Sequence, residues 1–204
     1  METNDCYKTL AKPTKEILFK EKKSKFFSSA YPIVSEDEVK PIIESLRKKH
    51  RTANHICFAW QLGVCDVLYR ANDDGEPNNS AGMPIYGQIK SFGITNVLVV
   101  VARIFGGTKL GVGGLISAYR TAAQLALEEA LIVERRVKVL LEIKFDYPVM
   151  DKVMRVIKNH NLEIVSQKLE MDCILTLSVP KSKSQKVKKI FNHIHSISIH
   201  EKEG

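Results

Sequence analysis

Several things are scarce in this chain, and each scarcity closes off a class of explanation. Four cysteines occur in 204 residues, Cys6, Cys57, Cys65 and Cys173, with no Cys-x-x-Cys pair among them. That spacing argues against a zinc ribbon and suggests no disulfide framework, so free thiols are expected. No stretch approaches the roughly 18 uninterrupted apolar residues of a membrane span. The opening METNDCYKTLAKPTKEIL lacks the apolar centre of a secretion signal. The expectation is a soluble protein of the cytoplasm with no membrane contact. What is present in quantity is hydrophobic residues, at 44%, which is enough for packed cores in one large or two small domains.

The net charge of +8 is unevenly spread. Residues 1–134 carry 17 Lys/Arg against 15 Asp/Glu, whereas residues 135–204 carry 14 against 8. A basic segment draws phosphate-rich partners through counterion release. Charge alone leaves RNA or ribosome affinity open.

Periodicity divides the chain into an α/β (α+β) protein of two domains, 1–134 and 135–204. In the first, KSKFFSSAYPIV reads as a strand, and Ser35 with Glu38 forms a capping box before a helix that Pro41 should kink or delay. NHICFAWQLG alternates as a strand with Ile56, Phe58, Trp60 and Leu62 on one face, which leaves His55 and Cys57 on a partly exposed face. PIYGQIKSF reads as a short helix, NVLVVVARIF as a strand covered on both faces, and the Ala-rich run from about Gly114 to Val133 as a helix. Leu115, Ala118, Tyr119, Ala122, Ala126 and Ala130 fall on its core-facing side. After ERR the order is βαββαβ, the ferredoxin-like arrangement. The first twenty residues are expected to be irregular.

RIFGGTKLGVGGLISAYRTAA joins the covered strand to the Ala-rich helix and invites comparison with phosphate cradles. A P-loop needs GxxxxGK[ST], and the Lys-Ser/Thr ending is missing. A dinucleotide fingerprint needs GxGxxG, and Ile116 stands where the third glycine is required. What remains is a physical capacity. Gly106, Gly107, Gly111, Gly113 and Gly114 permit close backbone approach, a helix start attracts anions, and Arg103, Lys109 and Arg120 add positive charge. A tight strand-to-helix turn explains the same glycines, and the two readings stand side by side.

ANDDGEPNNSAGMPIYGQ places Asp73, Asp74 and Glu76 within four residues. Such oxygens suit Mg²⁺ or acid–base work, yet EF-hand spacing is absent and Asp-Gly and Glu-Pro are turn formers. The expectation is that these carboxylates fold towards Arg103 and Lys109 and steady the Gly-rich loop without a metal. Ser80 and Gly82, ahead of Pro84, form a second small-residue helix entry that would line one pocket with the first if the two meet. His55 and Cys57 lack a third ligand at metal-site spacing. Ser28, Ser29 and Ser117 have no nucleophile-elbow context, so no catalytic residue is assigned. Lys183, Lys186, Lys188 and Lys189 spread around the flanks of the last helix, as on a solvated face.

Taken together, KSKFFSSAYPI, NHICFAWQLG, NDDGEPNNSAGMPI and VVVARIFGGTKLGVGGLISAY resemble the YigZ/IMPACT family in its two-domain bacterial form. One departure is Ile104, where the family usually carries a second aromatic residue. The resemblance implies a first domain similar to a βαβ fold of a small-subunit ribosomal protein and of elongation factor G. It implies a second domain similar to the ferredoxin-like end domain of that factor. It further implies a translation-associated regulatory binding protein, contacting RNA, the ribosome or a translation-related protein, with no cofactor. An enzyme acting on a phosphorylated small molecule and a pure protein-interaction module are the alternatives, because each fold hosts many functions. The oligomeric state is not legible in the sequence.

Overall fold

The computed structural model describes residues 5–170 and 172–202. The chain divides into two compact units, one of Tyr7–Arg135 and one from Arg136 onward that also takes in the segment before Tyr7. Asp5 shows why that segment groups as it does. Its carbonyl accepts from Val137 N–H at 2.7 Å, and its carboxylate accepts from Ser182 N–H.

The larger unit is built on a five-stranded sheet in the order β2-β3-β6-β4-β5. These strands are β2 (Ile17–Glu21), β3 (Ser24–Pro32), β4 (His55–Leu62), β5 (Leu68–Asn72) and β6 (Val97–Ile104), and every pairing is antiparallel. Central β6 is buried along nearly its whole length, as its continuous apolar sequence requires. Val97, Val99 and Val101 enter one core, beneath α2 (Gly82–Ser91) and α3 (Gly111–Glu128). Leu98, Val100 and Ala102 enter another, with Val39 and Leu46 of α1 (Val39–Lys49). Helices therefore cover both faces of the sheet. A two-stranded ribbon of β1 (Cys6–Leu10) and β7 (Ile132–Arg136) lies for most of its length in this unit.

The Ser35 capping box forms as its sequence requires, with Asp37 N–H donating to the Ser35 hydroxyl and Ser35 N–H to Glu38. A 3-10 turn over Glu36–Glu38 then leads into α1. Pro41 is thereby held in the first turn, where its missing N–H is harmless. Two expectations need correction. The first twenty residues contain β1 and most of β2; β1 pairs with β7 far along the chain, and β2 forms a hairpin with β3. Cys57 is fully buried, because α2 packs on that side of β4 and the Tyr119 side chain of α3 and the acidic turn close over its thiol.

The smaller unit runs β8 (Lys138–Asp146), α4 (Met150–Asn159), β9 (Glu163–Leu169), β10 (Asp172–Pro180), α5 (Lys181–Asn192) and β11 (Ile197–Lys202). Its sheet order β11-β8-β10-β9 is antiparallel throughout, the ferredoxin-like arrangement. Leu141, Ile143 and Phe145 alternate into a core with Val153 and Ile157 of α4 and Val187 and Phe191 of α5.

Candidate functional site

β6 ends at Ile104, and the chain turns through the Gly-rich loop into α3. Arg103 lies on the α2/α3 side of the strand, by alternation from Val97, Val99 and Val101. Its side chain is buried against Glu76, with Nη1 donating to Oε1 at 2.6 Å. The same Glu76 oxygen accepts from the Tyr119 hydroxyl at 2.8 Å. The Cys57 thiol sits 3.3 Å from that hydroxyl and 3.0 Å from the Asp73 carbonyl, placed to donate to either. Burial pushes the Cys57 thiol and the Tyr119 phenol well above their usual ranges, so both stay protonated at neutral pH. Arg103 is also flanked by the rings of Phe26 and Phe105, at 5.6 and 5.5 Å from its guanidinium carbon. Both ring contacts form with Ile104 beside them in the sequence.

The three carboxylates of the acidic turn separate. Glu76 meets Arg103. Asp73 closes the start of α2, its Oδ1 accepting from Ala81 N–H at 2.9 Å and Gly82 N–H at 2.8 Å, and its Oδ2 from Asn79 N–H at 2.9 Å. Asp74 reaches α1 and β4, pairing with Arg47 at 2.7 Å and accepting from Ile56 N–H. The Asp74 carbonyl accepts from His55 Nδ1–H at 2.8 Å. Ser80 is buried and donates to the Pro77 carbonyl, and Gly82 abuts the backbone of Asn72, where a Cβ would collide. The α2 entrance is thus filled by the chain's own carboxylate.

The α3 entrance differs. Its N-cap is Leu110, with no side-chain hydrogen bond to the first turn. Gly111, Val112 and Gly113 are exposed there, next to exposed Lys109. The glycines divide by cause. Gly106 packs against the backbone of Lys23 and Ser24, leaving no room for a Cβ. Gly107 and Gly111 have φ of +85° and +72°, the left-handed region that favours glycine. A Cβ at Gly114 would meet the Leu110 side chain at a tight 3.1 Å. Gly113 has ordinary helical backbone and no atom within 4 Å of an added Cβ, so packing gives no reason for it.

Arg120 is exposed but sits nine residues into α3, about 13 Å along its axis from the first turn. Two lysines that sequence reasoning passed over stand closer to the loop. Lys22 and Lys23 turn the β2–β3 hairpin with φ of 43° and 67°. Both are exposed, and the Lys23 backbone is what Gly106 packs against. The signal was present in EKKSK, a two-residue turn between strands. The loop is anchored at its base, because Phe105 N–H donates to Asn54 Oδ1 at 2.9 Å and Gly106 N–H to Ser24 Oγ at 3.2 Å.

In the smaller unit, Lys188 turns to Glu201 at 2.6 Å. Exposed Lys183, Lys186 and Lys189 then recur every third residue along α5, so these three form a row rather than a scatter. Among the described residues, no helix is long and apolar enough to cross a membrane, and no group of three His, Cys, Asp or Glu side chains is placed to hold a metal ion.

Comparison with known proteins bears on the same loop. Residues 22–127, just over half the chain and spanning both helix entrances, match the model of the Impact N-terminal domain. The chain belongs to the IMPACT family. IMPACT family member YvyE of Bacillus subtilis is 36% identical over 131 residues, which is 64% of this chain and 60% of YvyE. IMPACT family member YigZ of Escherichia coli is 27% identical over 164 residues, 79% of this chain and 80% of YigZ. The crystal structure of a hypothetical protein, 23% identical, superposes with a TM-score of 0.73 and covers 98% of both chains, which shows a shared fold.

Proposed function

We propose that this IMPACT-family chain is a translation-associated binding protein that holds RNA phosphates on the first turn of α3. One observation carries the reading: of two Gly-rich helix entrances in the same unit, α2 is closed by Asp73, while α3 is open and has at Gly113 a glycine that packing does not demand. Uncapped N–H groups and the positive end of a helix suit a phosphate, and a missing Cβ lets it approach. Lys109, Lys22 and Lys23 supply cations around the loop, and the α5 lysine row adds positive charge in the smaller unit. In this arrangement Arg103 is neutralised by Glu76 and holds the loop's base. Asp73, Asp74 and Glu76 are taken up by backbone amides and arginines, which favours binding over catalysis at the acidic turn.

A protein partner in translation is the second reading, favoured by the exposed apolar side chains of Phe105 and Val112 on the loop, 42% and 54% accessible. The experiment is binding of a single-stranded RNA oligonucleotide and of purified ribosomes over a salt series. Lys109→Ala weakens binding to all RNA sequences and lowers the magnitude of the salt slope by about 1. Salt-insensitive binding to ribosomal protein, unchanged by Lys109→Ala, supports the second reading instead.

A further inference from the structure

The opposite face of the larger unit holds a groove of about 540 Å³ that the α3 site does not use. Its apolar lining comes from Phe58 and Trp60 of β4 and Val39 and Ile43 of α1. Trp60 is 4% exposed, and its indole N–H is buried with no acceptor. A buried N–H without a partner is uncommon and costly. Arg70 lies directly across from Trp60 in the β4–β5 register and pairs with Glu36 at 3.2 Å. That pair links the edge strand to the turn that starts α1. Its side chains are 60% and 58% exposed, so it contributes little stability and exchanges readily with a ligand.

Charge around the groove narrows the ligand. Glu36, Asp37 and Glu44 stand against Lys40, Arg47 and Arg70, and Arg47 is already held by Asp74. With Arg47 offset by Asp74, the three carboxylates face Lys40 and the Glu36-paired Arg70, a rim with one negative charge in excess that does not attract nucleic acid or other polyanions. A ligand carrying both signs close together matches it. We propose that this groove binds an apolar α-amino acid, either free or as the N-terminal residue of a peptide. Its side chain lies on the Phe58 and Trp60 floor. Its ammonium replaces Arg70 at Glu36, and its carboxylate or carbonyl oxygen faces the Arg70 guanidinium that this exchange releases. The volume suits a small ligand.

Trp60 is the chain's single tryptophan, so its fluorescence reports on the groove directly. The test is titration of the full chain with L-leucine, with the tripeptide Leu-Gly-Gly, and with isoamylamine and isocaproate, which carry only one of the two charges, each to about 10 mM. A saturable change in emission with leucine or Leu-Gly-Gly, and little with the singly charged analogues, is expected. Leucine alone indicates a free amino acid, and the tripeptide indicates a chain terminus. Glu36→Gln and Arg70→Gln, both at exposed positions, each weaken binding by about tenfold, with melting unchanged. No saturable change with leucine or the tripeptide overturns the proposal. So does equal binding of the singly charged analogues, or affinity unaltered in both variants.

Discussion

Arg103 and Glu76, 27 residues apart in sequence, form an ion pair 2.6 Å long whose side chains are 6% and 4% exposed. A pair this deeply desolvated acts on stability chiefly through what happens when one partner is lost. Arg103→Met leaves Glu76 buried with the Tyr119 hydroxyl as its remaining side-chain donor, and a loss of about 3–5 kcal/mol is expected. Urea denaturation measures it. Replacing both partners, Arg103→Met with Glu76→Leu, should recover a large part of that loss. A double variant as unstable as both single changes added together contradicts this account.

The Cys57 thiol gives a chemical check on the same network. Because burial holds it protonated, it should resist alkylation by iodoacetamide at mildly alkaline pH while the chain is folded, and react once urea unfolds it. Peptide mapping after a short pulse reads the outcome. Labelling of Cys57 in the native protein at the rate of a free thiol contradicts its placement.

A third expectation concerns acid stability. Glu16 is opposed by burial, which raises its pKa, but hydrogen bonds and charge from His50 and Lys49 outweigh this and hold it below its ordinary 4.5. The folded state therefore favours the ionised carboxylate. The stability this contributes is complete above about pH 4.5 and is lost as pH falls through the depressed folded value. Glu16→Gln should lower the melting temperature at neutral pH and flatten its fall in acid. A melting curve with the same acid dependence as the parent contradicts this role.

How far these features could be read in advance depended on whether their cause was local. The unbroken apolar run of β6, the Ser35–Glu38 capping box and the Ala-rich face of α3 each follow from neighbouring residues, and each forms. β1 is short and pairs with the distant β7, while the equally short β2 pairs with the adjacent β3, whose other edge is held by the distant β6. The burial of Cys57 likewise depends on groups distant in sequence, the Tyr119 side chain and the backbone of the acidic turn. At the site, the grouping of Glu76 with Arg103 was legible, but the same logic sent Asp73 and Asp74 to the loop, and they instead cap α2 and hold Arg47. Acidic residues within one turn point in different directions, and spacing alone does not say which helix start lacks a cap. The lysines at the β2–β3 turn were hidden for the same reason, because only the packing of Gly106 brings that turn to the loop.

The glycines of the loop divide the structural role from the binding role. Gly106→Ala forces its Cβ into the Lys23 and Ser24 backbone and should destabilise the larger unit by several kcal/mol, or abolish its folding. Thermal melting compares it with the parent. A Gly106→Ala protein as stable as the parent contradicts the close packing of loop and hairpin.

Gly113→Ala is the most direct measurement. The backbone there accepts alanine and nothing lies within 4 Å of the new Cβ, so the fold should gain up to about 1 kcal/mol from helix propensity. If the first turn of α3 holds a phosphate, the same methyl group blocks its approach. RNA and ribosome binding should then fall by about tenfold or more with little change in salt slope, in a protein that melts at or above the parent temperature. A Gly113→Ala protein that is as stable as the parent and binds RNA and ribosomes with unchanged affinity contradicts the phosphate site and leaves the loop as a structural turn.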